Sequence, residues 1–203
     1  MSVMRMNYDQ MEAMIRLGES LGVTSVKFNL IQPIKRGERL HNRGDTLTIE
    51  EMVALGRTVE QVFSRKTPLR IDYDHPLAFR PLGKLFGETG DGCSACGIMG
   101  ILGVIPDGSY ALCGIGMNIP EMVFGHGEAV SLKTVWEKTA VLNALRQGMP
   151  DRLEGICGRC LMQHLCQGGC VAQNVHSGGH IWHPFWYCDA AHKKGLFPES
   201  RLR

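Results

Sequence analysis

Up to about residue 90 the chain alternates between stretches of helical period and short apolar runs. Asn7 stands at a helix N-cap position with Gln10 at the matching capping-box position. Met11, Met14, Ile15 and Leu21 then recur at helix spacing as far as Gly22, a C-terminal stop. Residues 23–31 are β-branched and apolar and end before Pro33, the pattern of a buried parallel strand. Residues 32–45 read as a polar, basic loop. Thr48 with Glu51 makes a second capping box and predicts a helix to about Arg65, and residues 69–73 predict another strand after Pro68. Helix, strand, loop, helix, strand is the rhythm of a parallel sheet with crossover helices.

The second half has a different texture. Gly87, Gly90 and Gly92 lead into the first cysteine. Residues 101–105 and 109–113 flank Pro106-Asp107-Gly108, a hairpin signal that delivers Cys113 at the end of its second strand. One main helix is expected, capped by Ser131, with Leu132, Val135, Trp136, Leu142 and Leu145 as its apolar stripe, ending at Gly148 and Pro150. Beyond Asp151 the chain reads as loops punctuated by cysteine and glycine. The domain boundary therefore falls near residue 90, giving 1–90 and 91–203.

Composition narrows the function classes. The 203 residues carry 22 Lys+Arg against 20 Asp+Glu, a net charge of +2 with only a local basic cluster (Lys35, Arg36, Arg39, His41, Arg43), which disfavours a nucleic-acid partner. No apolar stretch approaches the roughly 18–20 residues of a membrane span, and residues 1–10 lack the apolar core of a secretory signal, so a cytoplasmic address without a membrane partner is expected.

All 8 cysteines lie in the second half: Cys93, Cys96, Cys113, Cys157, Cys160, Cys166, Cys170 and Cys188. The dense part is C-x2-C-x5-C-x3-C. A C-x2-C pair converges two thiolates on one centre within a tight turn, and eight thiolates make two sets of four. Two structural zinc sites, two iron-sulfur centres and, in an oxidising compartment, disulfides all fit that count. His164, His176, His180 and His183 lie among the later cysteines but are superfluous as ligands. Trp182, Phe185, Trp186 and Tyr187 precede Cys188 as a candidate apolar lid.

The ordered run Cys96-x11-Gly108-x4-Cys113, Cys157-x2-Cys160-x5-Cys166-x3-Cys170 and Cys188, with PDG before the hairpin cysteine and CQGGC at Cys166 to Cys170, resembles the SPASM domain over residues 93–188. That domain is the C-terminal extension of radical S-adenosylmethionine enzymes such as anaerobic sulfatase-maturating enzymes and peptide maturases. The resemblance implies two auxiliary [4Fe-4S] clusters with interleaved ligands. Cys157, Cys160, Cys166 and Cys188 would hold one, and Cys170 would cross to join Cys113, Cys93 and Cys96 on the other. The three-residue spacing of Cys93 and Cys96 departs from the family, so one of the two is alternatively a spare thiol.

The C-x3-C-x2-C motif that holds the S-adenosylmethionine cluster in those enzymes is absent, and no cysteine precedes Cys93. Residues 1–90 look like the last βα units of the family's partial (β/α) barrel. The expected fold is thus α/β: the C-terminal part of that barrel, then a loop-rich, Cys-rich α+β domain with a β-hairpin and one main helix. A fragment, one half of a split enzyme and a module that has lost catalysis fit equally. The chain alone is expected to be inactive. Its expected partners are a peptide or protein substrate and a chain supplying the N-terminal barrel half, without which S-adenosylmethionine would not bind. Asn29 and Gln32, at a strand end, are candidates to line the S-adenosylmethionine or substrate cavity. The competing reading is a non-catalytic, zinc-stabilised interaction module using the same cysteines.

Overall fold

The computed structural model describes residues 1–87 and 96–203; Cys93 and the glycines at 90 and 92 lie outside them. The chain divides into two units, Met1–Gly92 with Ala190–Pro198, and Cys93–Asp189 with Glu199–Arg203.

The first unit is built on a parallel three-stranded sheet in the order β1 (Ser2–Val3), β2 (Ser25–Leu30), β3 (Arg70–Tyr73). Val26 lies opposite Ile71 and Phe28 opposite Tyr73, while Asn29 pairs with Ser2. Two helices form as expected: α1 (Met11–Ser20), which buries Met11 and Ile15, and α3 (Ile49–Thr58), which buries Met52 and Val53. The Thr48 capping box is formed, with Glu51 N–H donating to Thr48 Oγ1 at 3.3 Å and Thr48 N–H to Glu51 Oε2 at 2.7 Å. The chain continues through a π-helical turn (Val59–Phe63) and α4 (Ser64–Lys66).

Three expectations need correction here. Asn7 does not cap α1; its side chain turns back, accepting from Met4 N–H at 2.8 Å and donating to Ser2 O at 3.1 Å, and a 3-10 turn (Tyr8–Gln10) leads into the helix. The basic loop contains a helix, α2 (Arg36–Asn42), which buries no residue and so leaves no apolar period to read. β2 is buried on one face only: Val26, Phe28 and Leu30 are inside, whereas Lys27 is exposed and Ser25 and Asn29 are half-buried. Lys27 lies in register with Asp72, so one face of the sheet is apolar and the other polar.

After α5 (Leu82–Phe86), the second unit opens with the expected hairpin, extended to an antiparallel sheet of β4 (Gly103–Val104), β5 (Ser109–Ala111) and β6 (Val123–His126). His126 Nε2 stands 2.5 Å from Asp107 O and closes the turn. The main helix is two helices, α6 (Leu132–Lys138) and α7 (Ala140–Gly148), separated by Thr139 in extended conformation. Ser131 caps α6 as expected, but Leu132, expected in the apolar stripe, is 52% exposed. Trp136 is half-buried, with the Arg146 guanidinium 4.1 Å above its ring.

The region expected to be loops is largely helical: α8 (Gly155–Gly158), α9 (Gln163–Cys166), α10 (Val171–Gly178) and α11 (Trp186–Lys193). Most are one or two turns long, below the length at which periodicity can be read, so the reading of one main helix fails for a physical reason. No helix of the described residues is long and apolar enough to cross a membrane.

Candidate metal centre

Among the described cysteines, Cys113, Cys157 and Cys160 each accept a backbone amide at sulfur. Cys113 follows β5 and accepts from Gly116 N–H at 3.3 Å. Cys160 follows α8 and accepts from Met162 N–H at 3.3 Å, and Cys157, within α8, accepts from Phe185 N–H at the same distance. Backbone amides of Gly169 and Gly168 near Cys166, of Gln173 and Ala172 near Cys170 and of Ile98 near Cys96 act in the sense that favours thiolate. Amide bonds to sulfur favour the thiolate and are among the interactions that tune iron-sulfur centres.

The turn between Cys166 and Cys170 requires left-handed backbone at three successive residues, Gln167 (φ 52°), Gly168 (φ 75°) and Gly169 (φ 70°). Glycine adopts this conformation without strain. Asn174, fully buried, donates from Nδ2 to Gly168 O at 3.0 Å and pins the turn to α10.

Electrostatic neighbours sort the seven described thiols into two sets. Cys188 donates to Cys157, which raises the first and lowers the second; burial and the sulfurs of Cys166 and Cys160 raise Cys188 further. Burial pushes Cys166 up to about 12, with Cys157 and Cys160 adding to it, and raises Cys160, with Cys157 adding. Burial likewise pushes Cys170 up to about 11, but the sulfurs that add to it are Cys113 and Cys96. Cys96, raised by burial, feels Cys113. Cys170, next in the motif after Cys166, thus faces the hairpin cysteines, while the distant Cys188 faces the dense run. Cys157, Cys160 and Cys188 are buried, Cys113, Cys166 and Cys170 half-buried and Cys96 exposed.

Among the described residues no thiol is in a disulfide, and no three His, Cys, Asp or Glu side chains form a group that could hold a single metal ion. A tetrahedral zinc with bonds of about 2.3 Å needs its thiolates nearly in contact. A four-iron cubane, with iron and sulfide between its ligands, takes thiolates that stand farther apart. The donor set, all thiol, is of the chemical type that an iron-sulfur centre takes.

The histidines have other engagements. His183 pairs with Pro184 O at 2.9 Å, and His180 lies 3.7 Å from Glu154 and edge-on to His183. Trp182 and Tyr187 are buried, and Phe185, Trp186 and Tyr187 form successive edge contacts ahead of Cys188. In the first unit, Asn29 lies on the polar face of β2, and Gln32 Nε2 donates to Asp74 Oδ2 at 3.2 Å, joining the ends of β2 and β3. The amide-to-sulfur bonds and the Arg201 and Arg203 charges near Cys160 escape sequence reasoning, because both depend on tertiary placement.

The described residues thus form a mixed helix-and-sheet fold with two small three-stranded sheets. Among solved structures it is similar to SuiB of Streptococcus suis, crystallised bound to S-adenosylmethionine, with a TM-score of 0.58 and 11% sequence identity. The match covers 92% of this chain and 43% of SuiB, so the chain spans less than half the length of that relative. At this identity the likeness is one of fold. No protein-family model and no curated protein matches the chain.

Proposed function

We propose that this chain is the auxiliary-cluster portion of a radical S-adenosylmethionine maturase acting on a peptide or protein. The observation that carries this reading is the division of the thiols, with Cys170 beside Cys113 and Cys96 and with Cys188 beside Cys157, Cys160 and Cys166. Cys157, Cys160, Cys166 and Cys188 hold one [4Fe-4S] cluster, and Cys113, Cys170, Cys96 and Cys93 the other. Such clusters supply one-electron transfer or substrate ligation near a radical site.

The chain's own residues prepare both sites. Amides of Gly116, Met162 and Phe185 stabilise thiolate at three ligands, and the burial of Cys157, Cys160 and Cys188 excludes water. In the first unit, a parallel sheet with one apolar and one polar face suits the wall of a barrel, its polar face inward. Asn29 and Gln32 then line the cavity for S-adenosylmethionine or substrate when the rest of the barrel is supplied, in this chain's longer parent or by a partner chain.

Anaerobic reconstitution followed by metal analysis tests the reading. About eight iron and eight sulfide per chain, with the broad visible absorption of clusters, is the expected result. About two zinc and no visible absorption would replace it with the zinc-stabilised module.

A further inference from the structure

Two positive charges near the dense cysteine run come from a distant stretch of sequence. Leu161 N–H donates to Arg201 O at 2.8 Å and Arg203 N–H to Arg159 O at 3.0 Å, so Leu202 lies opposite Cys160 in an isolated antiparallel bridge. Arg201 ends a 3-10 turn (Glu199–Arg201) and Arg203 follows Leu202, so the two arginines flank the bridge on either side in sequence. The Gln163 side chain lies between Arg203 and Gly158, and with its amide turned so that oxygen faces the guanidinium, it accepts from Arg203 at 2.8 Å and donates to Gly158 O at 3.0 Å. Gln163 is buried between the two, in the turn that separates Cys160 from Cys166. The backbone pairing therefore keeps both arginines against the segment that carries Cys160.

We propose that Arg201 and Arg203, strapped to the Cys160 segment by this bridge, are redox-tuning residues of the centre formed by Cys157, Cys160, Cys166 and Cys188. The inference rests on the reading of those cysteines as cluster ligands. Reduction adds one electron, and therefore one negative charge, to a centre already anionic with four thiolates. Permanent cations beside it stabilise the reduced form and raise its potential, and guanidinium suits the role because it stays charged at any working pH. Backbone atoms make the bridge, so the charges can be removed while the strap remains.

The test uses the full iron-loaded chain carrying Arg201→Gln and Arg203→Gln together, titrated anaerobically with dithionite and followed by paramagnetic resonance. Iron content should match the native chain. The signal that persists in Cys170→Ala should move to a more negative potential, the other signal should stay in place, and Arg201→Lys with Arg203→Lys should restore the native value. If the double glutamine variant loses iron, Arg201→Gln alone, which keeps the Arg203–Gln163 bond, is read in the same way. Unchanged potentials at full iron content would overturn the inference and leave the ligand reading standing. A native chain that takes up no iron would overturn both.

Discussion

The ring of Phe185 rests directly on Gly169: a β-carbon added there would meet Phe185 Cγ at 2.8 Å and Cδ2 at 2.9 Å. Phe185 also donates its amide to Cys157, so one residue joins the Cys166–Cys170 turn to α8. Gly169→Ala should therefore be destabilising twice over, by about 1–2 kcal/mol of left-handed backbone strain and by about 1–3 kcal/mol of overpacking. Gly179 has a similar φ of 78° but nothing within 4 Å of an added β-carbon, so Gly179→Ala should cost only the backbone term. Denaturant unfolding of both variants measures the difference; equal losses would mean that the Phe185 contact carries no weight.

The two thiol sets predict opposite effects of two substitutions. Cys170→Ala should damage the cluster that Cys113 shares and spare that of Cys157, Cys160, Cys166 and Cys188, whereas Cys188→Ala should do the reverse. Paramagnetic resonance of the reduced variants reads this directly, and loss of the same signal in both would refute the interleaved assignment.

Acid should weaken the first unit before it reaches the carboxylate range. His75 is buried, and burial lowers its pKa from 6.5, opposed by Glu60 at 3.2 Å and assisted by the charges of Arg80 and Lys84. The unfolded chain thus binds the imidazole proton more readily, so this contribution to stability is complete above about pH 6.5 and is lost as pH falls below it. Burial raises Glu60, but bonds from His75 and from Lys84 at 2.5 Å outweigh it and hold the carboxylate below its usual value. Its contribution is lost at lower pH, below about 4.5. Melting temperature should fall between pH 7.5 and 5.5 in the native chain, and His75→Gln should flatten that slope; an unchanged slope would assign the effect elsewhere.

Thr48→Ala removes the acceptor for Glu51 N–H and should cost about 1 kcal/mol. Thr48→Ser keeps the oxygen and should recover most of it. Parallel losses in the two variants, measured by thermal unfolding, would place Thr48's contribution in its methyl group.

What could be read from sequence was whatever left a local chemical signature. Thr48 and Glu51 announced α3, Ser131 announced α6, and Pro106-Asp107-Gly108 announced the hairpin, because capping and turn residues act within a few positions of themselves. β1 escaped because two residues carry no pattern, and α2 because it buries nothing. Asn7 misled because its side chain found Met4 and Ser2 as closer partners than the first turn of α1. The cysteine spacing marked which residues the proposed centres would use. The amides that address the sulfurs, and the bridge between Cys160 and Leu202, depend on chain segments brought together only by folding.

The C-terminal stretch adds something about inheritance. Residues 190–198 belong with the first unit, where Lys194 pairs with Glu50 at 3.1 Å and Phe197 packs edge-on against Phe79, and residues 199–203 return to the second. The polypeptide thus crosses from one unit to the other after Gly92, after Asp189 and again after Pro198. A gene truncated at any one of these points would leave one unit without a piece of its own packing. The two halves are therefore not interchangeable cassettes: a recombination event that exchanged one would have to carry the final residues with it, or rebuild the place that Phe197 fills.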